Sequence, residues 1–155
     1  MKTTDKVFQE GIAAHNRGEY ALALKSWEYL GNTEPKMSMI HLFKGWTLSE
    51  LGRREEALDE FRRYASRHPY NAAGSRAIFT VLGFLGRFKE QLEEAFRYRD
   101  AFRKLEDPSG VLNATQLETA REWLSMIAEM ESYGPNELRE AEIWYKKFGA
   151  EGIRK

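Results

Sequence analysis

The chain contains no cysteine, which excludes disulfides, thiolate metal sites and a cysteine nucleophile. Neither sign of charge is in excess: Lys plus Arg and Asp plus Glu each count 24. That balance argues against a protein that works by spreading positive charge along a nucleic-acid backbone. Long apolar runs are missing too. The longest, around Ala77 to Leu85, is interrupted by Thr80 and is roughly half of what a membrane span needs, so no segment is expected to cross a bilayer. The opening Met1-Lys2-Thr3-Thr4-Asp5-Lys6 is polar and lacks the apolar core of a signal peptide, which makes a cytoplasmic location the expectation. No stretch alternates apolar and polar residues for long enough to predict a strand. Prolines number only four, and apolar residues recur at helical spacing nearly throughout, so the chain reads as all-α. At 155 residues it is expected to form a single domain, 1–155.

What is present is an internal repeat. Gly11, Gly18, Ala23, Leu24 and Pro35 return as Gly45, Gly52, Ala57, Leu58 and Pro69, and Trp27 returns as Phe61, each pair 34 residues apart. All six pairs fall at residue types with a backbone or packing role, and repeats of this length signify stacked supersecondary units. Within each unit Gly18 or Gly52 ends the first helix, since glycine takes the left-handed conformation at little steric cost. Gly11 and Gly45, with Ala23 and Ala57, suit places where two helix axes approach closely. Pro35 and Pro69 fall at the junctions, where proline is tolerated in the first turn of a new helix.

A third unit keeps the step but is degenerate: Gly86 falls on schedule and Phe88 follows it, yet Phe79 takes the place of the crossing glycine and Gln91 that of the alanine. Its second helix is expected to run to about Leu105, before the loop composition of Asp107-Pro108-Ser109-Gly110. Asn113-Ala114-Thr115-Gln116 has the form of a capping box and opens a stripe of Leu117, Ala120, Leu124, Ile127 and Met130. After a break at Gly134-Pro135-Asn136, the residues Leu138, Ala141, Trp144, Tyr145 and Phe148 complete a terminal pair. Terminal repeats of a solenoid must cover one face, so this pair is the expected cap.

Residues 4 to 71, with the turn phrases Gly18-Glu19-Tyr20 and Gly52-Arg53-Arg54, resemble two tandem tetratricopeptide repeats. The first pair, from Phe8 through Gly18-Glu19-Tyr20 to Trp27, is also similar to the opening unit of Sel-type repeat proteins. The second lacks their extra loop glycines, so the plain tetratricopeptide reading is preferred. Departures are Glu10 and Lys44, where the family carries leucine before the crossing glycine, and Leu30 and Tyr64, where it carries a small residue. The resemblance implies a right-handed α-α superhelix, a solenoid of about four antiparallel helix pairs over residues 4–37, 38–71, 72–106 (degenerate) and 112–150.

The resemblance also places the first helix of each pair on a concave wall, with Phe8, Ile12, His15 and Asn16, then Met39, Leu42, Trp46 and Ser49, then Arg76, Thr80 and Gly83. Members that bind the acidic tails of heat-shock chaperones use Lys, Asn and Arg there, and only Arg76 here has suitable chemistry, so that clamp is not expected. Phe8 and Ile12, like Leu42 and Trp46, are four residues apart and share a helix face. Such an apolar wall suits an amphipathic helix or an apolar peptide of a partner protein, with Trp46 as an anchor. The function implied is a non-enzymatic interaction module, adaptor or chaperone-like. Alternatives are a self-associating scaffold using the same wall, an own terminal helix covering it, or an RNA-binding repeat protein.

The RNA alternative rests on Arg62, Arg63, Arg67 and His68 near Phe61 and Tyr64, and on Arg97, Arg99, Arg103 and Lys104 among Phe96, Tyr98 and Phe102. Bases interleaved with aromatics are what single strands require, but these aromatics fall on the core period and acids neighbour the arginines. No two of the three histidines, His15, His41 and His68, are spaced as a helical metal pair, and no cofactor, metal or catalytic group is expected. Glu55, Glu56, Asp59 and Glu60, like Glu90, Glu93 and Glu94, read as solvated helix faces supported by i, i+4 pairs such as Asp59 with Arg63. The sequon Asn113-Ala114-Thr115 reads as a helix cap.

Overall fold

The computed structural model describes residues 3–132, and every regular element among them is helical. The chain divides into two compact units, Met1–Arg67 and His68–Lys155. The first contains α1 (Thr4–Asn16), α2 (Tyr20–Thr33), α3 (Met39–Glu50) and α4 (Arg54–Arg67). The second contains α5 (Ala72–Phe84), α6 (Phe88–Arg103), a short 3-10 turn (Pro108–Gly110) and α7 (Ala114–Ser132). The expected break at Gly134 and the helix through Trp144 and Phe148 lie outside the described residues.

The turns between paired helices are built alike. Gly18 and Gly52 have φ of 80° and 79°, left-handed values that a side chain resists. Around Gly18 the Glu19 amide donates to the Ala14 carbonyl at 2.9 Å and the Gly18 amide to that of His15 at 3.0 Å. Arg53 and Gly52 do the same to Leu48 and Ser49, and Arg87 and Gly86 to Leu82 and Gly83. This is the Schellman arrangement, which satisfies the orphan carbonyls of a helix end. At the other end, Thr3 caps α1 by accepting from the Lys6 amide, and Asn71 caps α5 by accepting from the Ala73 amide.

The crossing glycines lie where the repeat placed them. A Cβ on Gly11 would stand 2.7 Å from Trp27 Cη2, and one on Gly45 would overlap the Phe61 ring. Each glycine is thus a slot into which the aromatic of the paired helix fits. Val7, Ala14, Ala23, Trp27, Leu30 and Ile40 form one core cluster of the first unit, with Phe8, Ile12, Met37 and Phe43 packed on it. Leu48, Ala57, Leu58 and Phe61 are buried between α3 and α4.

The second unit follows a different rule. Its core joins Ala72 of α5, Ala95 and Tyr98 of α6 and Leu112 to Ala120, Trp123 and Ile127 of α7, with Phe79 packed against it. Trp123 meets the Phe79 ring edge-on at 5.1 Å and donates Nε1–H to Ser75 Oγ at 3.1 Å. The Asn113 capping box closes reciprocally: the Gln116 amide donates to Asn113 Oδ1 at 2.8 Å, and the Asn113 amide to Gln116 Oε1 at 3.0 Å.

Candidate functional site

At 3.6 residues per turn, Met39, Leu42, Trp46 and Ser49 occupy one face of α3, while Ile40, His41 and Lys44 occupy the opposite one. On the first of these faces Met39 is 49% exposed, Leu42 and Trp46 are half-buried and Ser49 is buried. Trp46 rests one ring edge against Phe61 at 4.8 Å, which orients the indole from beneath.

On α1, Phe8, Ile12 and His15 are half-buried and Asn16 is exposed. Phe8 meets Trp27 at 5.7 Å and Phe43 at 5.1 Å, and Trp27 stacks on Phe43 at 5.4 Å. Edge-to-face and offset contacts of this kind exceed the value of the buried area alone. Phe43 is a residue that sequence reasoning passed over; its spacing from Ile40 and Thr47, three and four residues away, was the available signal. His15 turns inward, with Nδ1 at 2.9 Å from Thr47 Oγ1, and the same oxygen accepts from Trp27 Nε1 at 2.8 Å. Thr47 is wholly buried and joins α1, α2 and α3 at one atom. Arg76 and Thr80 are half-buried on α5 of the second unit, where Thr80 Oγ1 donates to the Arg76 carbonyl at 2.8 Å.

The opposite face of α3 holds a polar cluster that the sequence reading had wrong. Glu60 is not on a solvated face: it is 5% exposed, because Ala57 and Tyr64, three before and four after it, put it on the buried stripe of α4. Its Oε2 accepts from His41 Nδ1 at 2.6 Å, and its Oε1 lies 3.0 Å from Arg63 Nη1 and 3.6 Å from Lys44 Nζ. Arg63 therefore pairs with Glu60 at i, i+3, where Asp59 at i, i+4 was expected. Glu94 departs from the solvated reading as well, its side chain being 10% exposed and paired with Arg97 at 2.6 Å.

Part of the basic and aromatic stretch of α6 is committed internally. Arg97 forks onto Glu94, Arg99 pairs with Asp100 and Glu131 and lies over the Phe96 ring at 4.8 Å, and Tyr98 is wholly buried. Burial pushes the Tyr98 phenol up to about 12, against an opposing pull from Arg97. Burial raises that of Tyr64 as well. At the surface, hydrogen bonds from Arg17 to Glu19 and from Arg53 to Glu56 hold those carboxyls below the usual glutamate range. Among the described residues no group of three or more His, Asp or Glu is placed to hold a metal ion, and no helix is long and apolar enough to cross a membrane.

No family model and no curated protein matches the sequence. Among solved structures, the chain is similar to the TPR domain of Sgt2 from Aspergillus fumigatus, with 16% identity over 85% of each chain and a TM-score of 0.58. The fold is tetratricopeptide-like. At this identity the likeness is one of fold, and it agrees with the helix pairs of the chain. The Sel-type likeness of the first pair has no counterpart in that comparison.

Proposed function

We propose that the protein is a non-enzymatic protein–protein interaction module, adaptor or chaperone-like, acting in the cytoplasm. Its first unit binds an amphipathic helix or apolar peptide of a partner against the wall formed by Phe8, Ile12, Met39, Leu42 and Trp46. The observation that carries this reading is the outward face of α3. Met39, Leu42 and Trp46 follow one another at i, i+3 and i+7, the spacing that a docked helix reads, and Met39 is half in solvent. Trp46, held from one side by Phe61, is the expected hot spot. Asn16, exposed at the end of α1, supplies the polar margin, while His15 and Ser49 stand behind the wall rather than on its surface. In the second unit Arg76 and Thr80 hold the corresponding positions on α5. No cofactor or metal is required.

The test is capture of partners from a lysate by the intact chain and by Trp46→Ala, with Tyr29→Ala, on the exposed side of α2, as the control. Partners held by the intact chain and the control but lost from Trp46→Ala support the reading. Equal capture by all three proteins overturns it. Light scattering on the same preparations separates out self-association: a stable dimer that Trp46→Ala dissolves would make a second copy the occupant. The RNA reading is disfavoured because Arg97 and Arg99 of α6 are engaged by Glu94, Asp100 and Glu131.

A further inference from the structure

The wall on α1 and α3 carries a charge as well as an apolar surface. Phe8 lies 5.1 Å from Phe43 and His15 Nδ1 lies 2.9 Å from Thr47 Oγ1, so the two helices stand side by side and run in the same direction. The 34-residue step then sets Asp5 beside Met39 at one end of the wall and Asn16 beside Glu50 at the other. Asp5 and Glu50 are both exposed, and both are acids. The cations nearest to them in sequence are turned elsewhere. Arg17 forks onto Glu19, Arg53 forks onto Glu56, and Lys44 lies 3.6 Å from Glu60 on the opposite face of α3. Lys6, one residue past Asp5, points about 100° away from it, and Arg54 is half-buried at the start of α4 with its Nε enclosed.

Glu50 is placed against its local field. It is the last residue of α3, where the helix dipole presents its negative end, and that last turn carries no basic residue. Among the described residues its carboxylate has no hydrogen-bond or ion-pair partner. Asp5, in the first turn of α1, sits at a positive pole and supports its own helix, whereas Glu50 opposes its own. Four residues separate Glu50 from Trp46, so the two share one face of α3. A cation brought to that face by a bound segment would answer the carboxylate and the helix end together.

We propose that the segment bound on this wall is cationic as well as apolar, with a lysine or arginine of the partner paired to Glu50 one helical turn beyond the side chain that rests on Trp46. The inference rests on the reading of the wall as a docking face and adds the charge that its occupant carries. Asp5, of the same sign at the far end, favours a segment with a second basic residue about three turns away.

The test is a titration of the ¹⁵N-labelled full chain, followed by amide shifts, with three blocked peptides of one apolar pattern, acetyl-X-Ala-Ala-Leu-Leu-Ala-Ala-Leu-Leu-Ala-Ala-X-amide, in which X is lysine, glutamine or glutamate. The lysine peptide is expected to perturb α1 and α3, to bind most tightly of the three, and to lose its advantage as salt is raised; the glutamate peptide should bind least. Glu50→Gln should cut the affinity for the lysine peptide by about two- to fivefold, the range of exposed charge pairs, and leave that for the glutamine peptide unchanged. Asp59→Asn removes the same charge from the exposed side of α4 and should change neither. Equal binding of the three peptides on the wall, or an equal effect of Glu50→Gln and Asp59→Asn, overturns the charge proposal and leaves the docking face standing. If none of the peptides shifts α1 or α3, the docking face fails and this inference with it. The thermal transition of Glu50→Gln is expected to be unchanged or raised; a lowered one would show that the carboxylate serves the fold and would overturn the proposal.

Discussion

Gln91 donates its side-chain amide to the main-chain carbonyl of Phe79 at 2.9 Å, and these are two of the positions at which the third helix pair departs from the repeat. In the first two pairs the same positions are Gly11 with Ala23 and Gly45 with Ala57, and the aromatics facing the glycines are Trp27 and Phe61. The third pair has Ala95 where those aromatics stand. Large and small have changed sides: the ring now comes from the first helix, as Phe79, and the space from the second, as Ala95. Close packing constrains the volume shared by two helices more than it constrains which of them supplies it.

Gly11→Leu and Gly45→Leu are each expected to destabilise the fold by more than about 2 kcal/mol, because a branched side chain must displace the Trp27 or Phe61 ring. Chemical denaturation of the two variants measures this. Unchanged midpoints would mean that the helix axes can part at no cost.

The exchange of large and small residues predicts coupling between neighbours. Gly45→Ala should destabilise the parent chain, although alanine is ordinarily the better helix former by roughly 0.5–1 kcal/mol. In a Phe61→Leu background, where the ring edge is gone, the same change should become neutral or stabilising. A double-mutant cycle with no coupling energy would contradict the slot.

Thr47→Val keeps the shape of the side chain but removes the oxygen shared by Trp27 and His15. The indole N–H then lies unpaired in a dry interior, and a loss of about 1–3 kcal/mol is expected. Thr47→Ser, which restores the hydroxyl, should recover most of it. Similar stability of the valine and serine variants would rule out the hydrogen bonds as the cause.

Tyr98 makes stability depend on alkaline pH. Its pKa is raised from 10.0 to about 12 by burial, and its hydroxyl donates to the Tyr70 carbonyl at 2.7 Å. Between these values the unfolded chain has lost the proton that the folded one keeps. The contribution of Tyr98 is therefore full below pH 10 and is lost as pH rises toward 12. Tyr64, raised by burial, acts in the same direction. Denaturation midpoints across this range should fall less steeply for Tyr98→Phe than for the parent chain.

Asn113→Ala removes one half of the capping box, and the Gln116 amide loses its partner. A cost of about 1 kcal/mol is expected, and Asn113→Asp should be tolerated, since its carboxylate still accepts at a helix N-terminus. Thermal denaturation of the two variants compares them directly.

Features decided within a few residues were legible in the sequence. Gly18, Gly52 and Gly86 end their helices because only the left-handed conformation lets the chain turn there, and Asn113 with Gln116 starts α7 because side chain and backbone can bond locally. Gly11 and Gly45 were readable for a related reason: a residue without a side chain, repeated at one interval, has few uses on a helix other than close approach. The candidate wall was legible only as faces. Leu42 and Trp46 share one by spacing, but that Phe8 meets Phe43, and that His15 turns in to Thr47, depends on how far each helix is rotated about its own axis.

That rotation is set by the summed packing of all neighbours, and only the tertiary structure decides it. Glu60 shows the consequence most plainly. Its chemistry made it read as solvated although its spacing from Ala57 and Tyr64 puts it on the buried stripe of α4, and a glutamate there is stable only because α3 brings His41 and Lys44 to it, 19 and 16 residues earlier in the chain. Trp123 and Ser75, 48 residues apart, are joined in the same way. A pattern within one helix shows which side chains share a face, but the partner that makes a buried charge or indole affordable comes from another helix.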